Sequence, residues 1–359
     1  MKQLHIVHIV ESFGSGIIEF ILQLTIGMPH YKHSIIYALR EIPFDDIKCR
    51  FPNYVNFCEW KHVQRSISIK SDLKAYLELR SKLRSLGSYD VVHLHSSKAG
   101  FLGRLALIRK KVQVIYTPNG VSFAVKNASC IKKIYFVFLE YIANLMSGQV
   151  VGVSKSEAQL FTKIGIPAIC INNGISSIAP PDRSKSINEN SIIIINVGRI
   201  SIQKNPELFN SIASHFLENT KIKFVWVGDG ELKSKLTSPN IQVTGWQSKA
   251  EVRSILSKSS IFLSTSQWEG LPFAGIEAMA SELPLLISNC VGNVDLVIEG
   301  VNGFIFNSEP DAVKILQQYL NDISMVRTHG SQSYKIFREC FTSEIMVAKY
   351  NQLYMKMGN

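Results

Sequence analysis

The amino-acid sequence predicts an α/β protein made of two Rossmann-like parallel-sheet domains, and three observations carry that expectation. Short β-branched runs alternate with longer amphipathic stretches along the whole chain, the pattern of βαβ units. The 359 residues exceed what one core commonly fills, so two domains are expected. Near the middle, residues 178–191 turn to Pro180-Pro181 and a polar run, marking a surface connection. The predicted domains are therefore 1–178 and 179–340.

In the first half the pattern predicts strands at 4–10, 34–39, 90–94, 112–117, 149–153 and 168–171. Helices fall between them, clearest at 71–86, 97–109 and 131–146. In the second half, strands are expected at 191–197, 224–227, 241–244, 261–264 and 285–288. They end, in turn, at Gly198-Arg199, Gly228-Asp229-Gly230, Gly245-Trp246, the loop carrying Glu269, and Asn289. Glycine, charge and aromatic groups thus collect at strand carboxyl ends, where a doubly wound sheet holds its ligand. No segment repeats at a fixed period, which excludes a solenoid.

Composition narrows the class. Hydrophobic residues make up 46% and charged residues 19% of the chain, which argues against disorder. Cys49, Cys58, Cys130, Cys170, Cys290 and Cys340 show no metal or redox spacing. They are expected as small buried apolar residues in a reducing compartment. The opening Met1–Val10 run is interrupted by histidine and suits a first buried strand better than a signal segment. No stretch of about 20 residues suits a bilayer span, so a cytoplasmic protein is expected. The net charge of +11 lies wholly in the first half: residues 1–178 hold 22 Lys/Arg against 11 Asp/Glu, and residues 179–359 hold 17 of each. That half is expected to face something anionic: a membrane surface, a phosphorylated acceptor or nucleic acid.

The segment Ser266–Ala280 concentrates the chemistry. A buried strand breaks at Glu269-Gly270-Leu271-Pro272 and resumes as a helix from about Phe273. Strand, turn and helix start present backbone N–H groups to an anion. Glu269 and Glu277 bracket the turn with seven residues between them; alone, such a pair can equally be dipole-compensating surface charge. Arg199 and Lys204 stand five apart after another strand, before a helix whose first position suits Pro206. Arg forms a fork on a pyrophosphate and Lys adds a point charge; apart from its placement the pair is an ordinary basic surface.

Together these segments resemble the E-x7-E motif and its companions in retaining glycosyltransferases of family 4, with the GT-B fold: two Rossmann-like domains facing across a cleft. The resemblance covers essentially the whole second domain and several points of the first. It implies that Arg199 and Lys204 hold a nucleotide diphosphate, Glu277 bonds the ribose hydroxyls, and Glu269 touches the donor sugar. Amides around Phe273 and Ala274 would meet the β-phosphate. Gly228–Glu231 and Gly245-Trp246 match loops flanking the base, with Trp246 either a stacking surface or a core residue. Val291–Asp295 and Gly300–Phe304 resemble closing turns. Glu282 stands where the family usually has glycine; if that position needs a positive φ, Glu282 carries a small strain cost. Such folds also return a C-terminal helix, here about 341–359, onto the first domain.

In the first domain, alternation places His93 and His95 on one face of a strand end, with Ser96-Ser97 capping the next helix. A metal site is not expected, because no Cys or carboxylate completes the set. His93 suits a structural role; by resemblance His95 faces the donor sugar. Asn119 stands where many relatives have histidine, and it can donate to a hydroxyl without shuttling protons. Gly14 and Gly16 resemble the family's N-terminal glycine loop, altered here to Gly-Ser-Gly. Residues 126–140 combine lysines with aromatics on a helix that either lies against an anionic bilayer or packs its apolar face on the domain.

The expected function is transfer of a sugar, with retention, from a nucleotide-diphosphate sugar to a hydroxyl acceptor, by resemblance a lipid-linked or surface-polysaccharide precursor. Front-face attack is expected, with Glu269, His95 and Asn119 serving the sugar, and neither metal nor cofactor required. The alternatives are a nucleotide-sugar epimerase of the same fold and, lower, a basic nucleic-acid-binding protein, which lacks a reading motif.

Overall fold

The computed structural model describes residues 3–39, 43–64, 66, 68–124, 129–177, 179–180 and 191–356. Most of the expected 178–191 connection lies outside them, as does Lys126. The chain divides into two compact units. Unit 1 is residues 1–174 with 343–359, and unit 2 is residues 175–342.

Unit 1 holds seven strands: β1 (His5–Phe13), β2 (Lys32–Leu39), β3 (Val55–Glu59), β4 (Val91–His95), β5 (Gln113–Thr117), β6 (Gln149–Gly152) and β7 (Ala168–Cys170). They pair in parallel in the order β3-β2-β1-β4-β5-β6-β7. The helices are α1 (Ser15–Gly27), α2 (Phe44–Lys48), α3 (Ile69–Ser85), α4 (Ser97–Ala106), α5 (Cys130–Met146) and α6 (Lys155–Lys163). The strand order reverses between β1 and β4, so a crevice opens at their carboxyl ends, where Gly14 and His95 stand.

Unit 2 repeats the plan with β8 (Ile192–Val197), β9 (Ile222–Val227), β10 (Ile241–Val243), β11 (Ile261–Ser264), β12 (Leu285–Ser288) and β13 (Gly303–Phe306). Their order is β10-β9-β8-β11-β12-β13. Around them lie α7 (Pro206–Ser214), α8 (Lys249–Lys258), α9 (Phe273–Ala280), α10 (Glu309–Asn321) and α11 (Ile323–Cys340). Here the reversal falls between β8 and β11, which places Gly198-Arg199 and the Glu269 loop at the crevice. A final helix, α12 (Ser343–Lys356), belongs to unit 1. There the Tyr350 hydroxyl meets that of Thr117 at 3.3 Å and the Tyr354 hydroxyl meets His93 Nδ1 at 2.8 Å.

Among the elements to which the sequence reading gave no range, α1, β3 and β13 have clear physical causes. α1 is apolar nearly all round and so shows no amphipathic period. It is covered on both sides, by the sheet and by α12, approaching so closely that a Cβ on Gly27 would lie 2.5 Å from a Val347 methyl. β3 and β13 have five and four residues and form by pairing beside β2 and β12. The cysteine expectation needs correcting: only Cys290 is buried, Cys58 is half-buried, and Cys49, Cys130, Cys170 and Cys340 are exposed. Short segments at sheet edges and helix ends put them outside the core despite their apolar character.

Candidate active site

In unit 2 the loop after β8 is tied to the loop after β11. Lys204 Nζ lies 2.9 Å from Glu269 Oε1, both side chains largely enclosed. Gln203 Nε2 donates to the Trp268 carbonyl at 2.9 Å and to Glu269 Oε2 at 3.2 Å. The Gln203 carbonyl accepts from Gln267 N, and the Thr265 hydroxyl donates to the Lys204 carbonyl at 2.8 Å. Glu269 thus has an ion pair at Oε1 and a hydrogen bond at Oε2. Sequence reasoning named Lys204 and Glu269 separately and missed Gln203, which carries no motif of its own.

Glycine is required where this loop begins. Gly198 has φ 144°, and a Cβ there would stand 2.9 Å from Lys204 Cε. The lysine stem thus folds over bare backbone. Below the Glu269 loop, Asn293 Nδ2 donates to Ser264 Oγ and Ser288 Oγ, both at 3.1 Å. This buried set fixes the turn after β12 against the ends of β11 and β12.

α9 begins at Phe273 after Pro272, with no side chain capping its N-terminus and no acidic residue in its first turn. The first amides of Phe273 and Ala274 are thus oriented for an anion, in keeping with the helix dipole. Glu277, on the same helix, is half-buried, as is Arg199 at the end of β8. Trp246 is 61% exposed, so it is not a core residue. Glu282 has φ 56°. Its carbonyl faces Gly330 of α11, where a Cβ would lie 2.2 Å from that oxygen. The strain is held in place by helix packing.

In unit 1, His93 and His95 share one face, their ring centroids 4.2 Å apart. His93 is fully engaged: Nδ1 with the Tyr354 hydroxyl and Nε2 with Thr117 Oγ1, each at 2.8 Å. His95 is wholly buried, its Nε2 3.1 Å from His8 Nδ1. Its own Nδ1 has no hydrogen-bond partner among the described residues. The expected ligand count is corrected here. His8 lies opposite His93 across the β1–β4 pairing, and His8, His93 and His95 bring ligand-capable atoms within 4.8 Å of one another. A count along one strand cannot see a neighbour 85 residues away. Burial holds the three rings well below the usual imidazole pKa, so they are neutral at physiological pH.

Ser96 occupies the N-cap position of α4, but its side chain makes no capping bond, which corrects that expectation. Its backbone has φ 70° and ψ 160°, aiming the hydroxyl away from the helix amides. Asn119 has φ 54°, and its Nδ2 donates to the Thr117 carbonyl at 3.2 Å. The next amide, Gly120 N, donates to Glu157 Oε1 at 2.7 Å, and Val153 N donates to Glu157 Oε2 at 2.7 Å. Glu157 is wholly buried and was missed by sequence reasoning. It lies in an ordinary amphipathic helix and acts only through its neighbours. Gly14 precedes α1 in extended backbone, with nothing within 4 Å of an added Cβ, so no glycine is required there by packing. Gly16 is the second residue of α1.

Comparison with known proteins follows the two units. A family model described as Glycosyltransferase Family 4 matches residues 6–177, and one described as Glycosyl transferases group 1 matches residues 180–335. The UDP-Gal:alpha-D-GlcNAc-diphosphoundecaprenol alpha-1,3-galactosyltransferase of Escherichia coli is 32% identical over 267 residues, covering 67% of this chain and 68% of its own. The capsular polysaccharide biosynthesis glycosyltransferase CapM of Staphylococcus aureus is 24% identical over 322 residues, covering 81% and 83%. Among solved structures, Anabaena HepE in complex with UDP-glucose superposes with a TM-score of 0.80 at 16% identity, over 99% of this chain and 100% of that one. Sucrose-phosphate synthase from Thermosynechococcus elongatus gives 0.80 at 14% identity over 99% of each. The chain belongs to the group 1, family 4 glycosyltransferases and has their GT-B fold.

Proposed function

We propose that this glycosyltransferase moves a sugar, with retention, from a nucleotide-diphosphate donor to a lipid-linked saccharide used in surface-polysaccharide assembly. The observation that carries this reading is the charged end of unit 2, where Lys204 and Glu269 pair beside an uncapped helix start. Arg199, Lys204 and the first amides of α9 stabilise the departing diphosphate, the largest electrostatic demand of the reaction. Lys204 has three donors on an ammonium that is ion-paired with Glu269. Glu277 bonds the ribose, and Trp246 offers its exposed ring to the base. Glu269, held on both oxygens, orients the sugar. In unit 1, His95 serves a hydroxyl through its unpaired Nδ1, and Asn119 through its amide.

In this reading the leaving phosphate takes the acceptor's proton as the new bond forms on the same face. Cationic side chains and helix amides do the work a metal does elsewhere, and no cofactor takes part. The lipid-linked acceptor is supported by relatives whose names specify diphosphoundecaprenol and cellobiosyl-diphosphopolyprenol substrates. A peripheral position at the inner face of the cell membrane is part of this reading. No helix among the described residues is long and apolar enough to cross a membrane.

A thermal-shift screen of UDP-, GDP- and ADP-sugars tests the donor side, since a ligand bound to the folded state raises its apparent stability. One nucleotide sugar should raise Tm, and Arg199→Ala and Glu277→Ala should each abolish the rise. A shift that survives both substitutions would place the donor elsewhere. Trapping of a glycosyl-enzyme adduct with a fluorinated donor would refute front-face attack.

A further inference from the structure

We propose that the outward face of α5 is a docking surface for an anionic lipid bilayer, inserting its apolar side chains between headgroups. The helix has 17 residues and is about 25 Å long. Its inner face is fixed by a buried set. Arg104 of α4 lies 3.5 Å from Glu140 Oε2 and stacks over the Tyr116 ring, whose hydroxyl donates to Glu140 Oε1 at 2.7 Å. Ala143, also buried, lies on the same side. With that face committed to the domain, the opposite face would ordinarily be polar.

It is not. Ile131, Ile134, Tyr135, Phe138, Tyr141 and Leu145 recur at helical spacing and are all exposed, Ile131 by 81% and Leu145 by 69%. Scattered exposed apolar residues are common, but a continuous stripe of this length on one helix marks a surface that is covered in use. Lys132 and Lys133 lie in its first turn, and the stripe has tyrosines at its flanks, which favour the headgroup level.

α3 supplies a second, independent observation. Ile69, Leu73 and Leu77, four residues apart, are likewise exposed, with Lys70 and Lys74 exposed between them. α3 and α5 each pack on α4. In parallel-sheet units the crossover helices run against the strands, so the N-termini of α3 and α5 lie at the strand carboxyl ends. Apolar side chains and lysines thus meet at the end of unit 1 that carries His95 and Asn119. Anionic lipid is the occupant that matches both properties: the apolar stripe and the excess of 22 Lys/Arg over 11 Asp/Glu in residues 1–178. A second copy of this chain would bring like charge against like charge.

The motive for docking rests on the lipid-linked acceptor proposed above, but the test does not. The full chain is floated with vesicles of phosphatidylcholine and with vesicles of phosphatidylcholine and phosphatidylglycerol in equal parts. Binding is expected to the second kind, to weaken as salt rises, and to fall at least tenfold in the double variant Ile134→Ser, Phe138→Ser. Lys132→Glu with Lys133→Glu should weaken it without touching the apolar stripe. Ile134, Phe138 and Lys132 are exposed and Lys133 is half-buried, and an unchanged Tm in each variant verifies folding. Transfer to a water-soluble acceptor should be unaltered in both. Failure of transfer by the parent enzyme would strike the function and leave vesicle binding readable. Vesicle binding that the variants do not change, or a concentration-dependent dimer that Ile134→Ser, Phe138→Ser dissolves in the absence of vesicle binding, overturns the docking surface.

Discussion

At the carboxyl end of β11, Glu269 faces Lys204 at 2.9 Å as an ion pair, whereas at the carboxyl end of β4 His93 and His95 stand neutral among other histidines. The two sheets share a strand order and a point of reversal, yet they solve the cost of burying polar groups differently. Unit 2 matches charge with charge. Unit 1 buries imidazoles wholly and keeps them uncharged by desolvation, linking them to Tyr354, Thr117 and one another. The scaffold decides where polar groups gather, and depth decides which protonation state they keep.

The acid response of unit 1 should break the symmetry most strongly. Burial lowers His33 to about 4 and holds His8, His93 and His95 well below 6.5. Folded-state values below the unfolded value mean that the unfolded chain takes up protons first. The stability contribution is therefore intact above about pH 6.5 and is lost as pH falls from there, for His33 down to about pH 4. Urea unfolding from pH 7 to 5, followed by hydrogen exchange in β1 and β4, measures it. A flat profile would show that the histidines are solvated.

On the side of unit 2, Lys204→Met should leave Glu269 without its cation and lower kcat/KM by about 10²- to 10³-fold, roughly 3 to 4 kcal/mol. Steady-state kinetics with the donor found by thermal shift decides it, and a fall below threefold would remove Lys204 from the chemistry. Next in size, Glu157→Gln tests whether unit 1 uses a carboxylate as an acceptor. Each of its carboxylate oxygens accepts from a backbone amide. An amide nitrogen in place of one oxygen should cost about 1–3 kcal/mol, read by denaturant unfolding. The smallest effect is expected at Glu282→Gly, which relieves the φ 56° strain against the added freedom of the unfolded chain. A net gain of about 0.5 kcal/mol should raise Tm slightly, and a loss would mean that the Glu282 side chain contributes more than its backbone costs.

Much of this was legible along the chain, and the failures have physical causes. The second-half strands up to β12 could be placed because each is a short, largely apolar run closed by a glycine or polar loop. Glu282 stands where the resemblance has glycine, and its φ of 56° is a conformation that glycine suits. α1 was missed because it is buried all round, which erases the period on which helix assignment rests. Gln203, Glu157 and His8 were missed because each meets a residue distant in sequence: Glu269, Gly120 and His95. Five of the six cysteines were wrongly placed in the core, since composition records chemical character and not position in the fold.

The sequence by itself determined the alternation of elements, the charge borne by each half, and the chemistry standing at the end of each strand, because local periodicity and turn residues act over a few positions. Tertiary structure decided that Lys204 meets Glu269, that His8 joins the histidines of β4, and that α5 turns an apolar face outward. Those outcomes depend on which strand lies beside which and on which helix face a neighbour covers, and the pairing that settles both joins residues far apart in the chain.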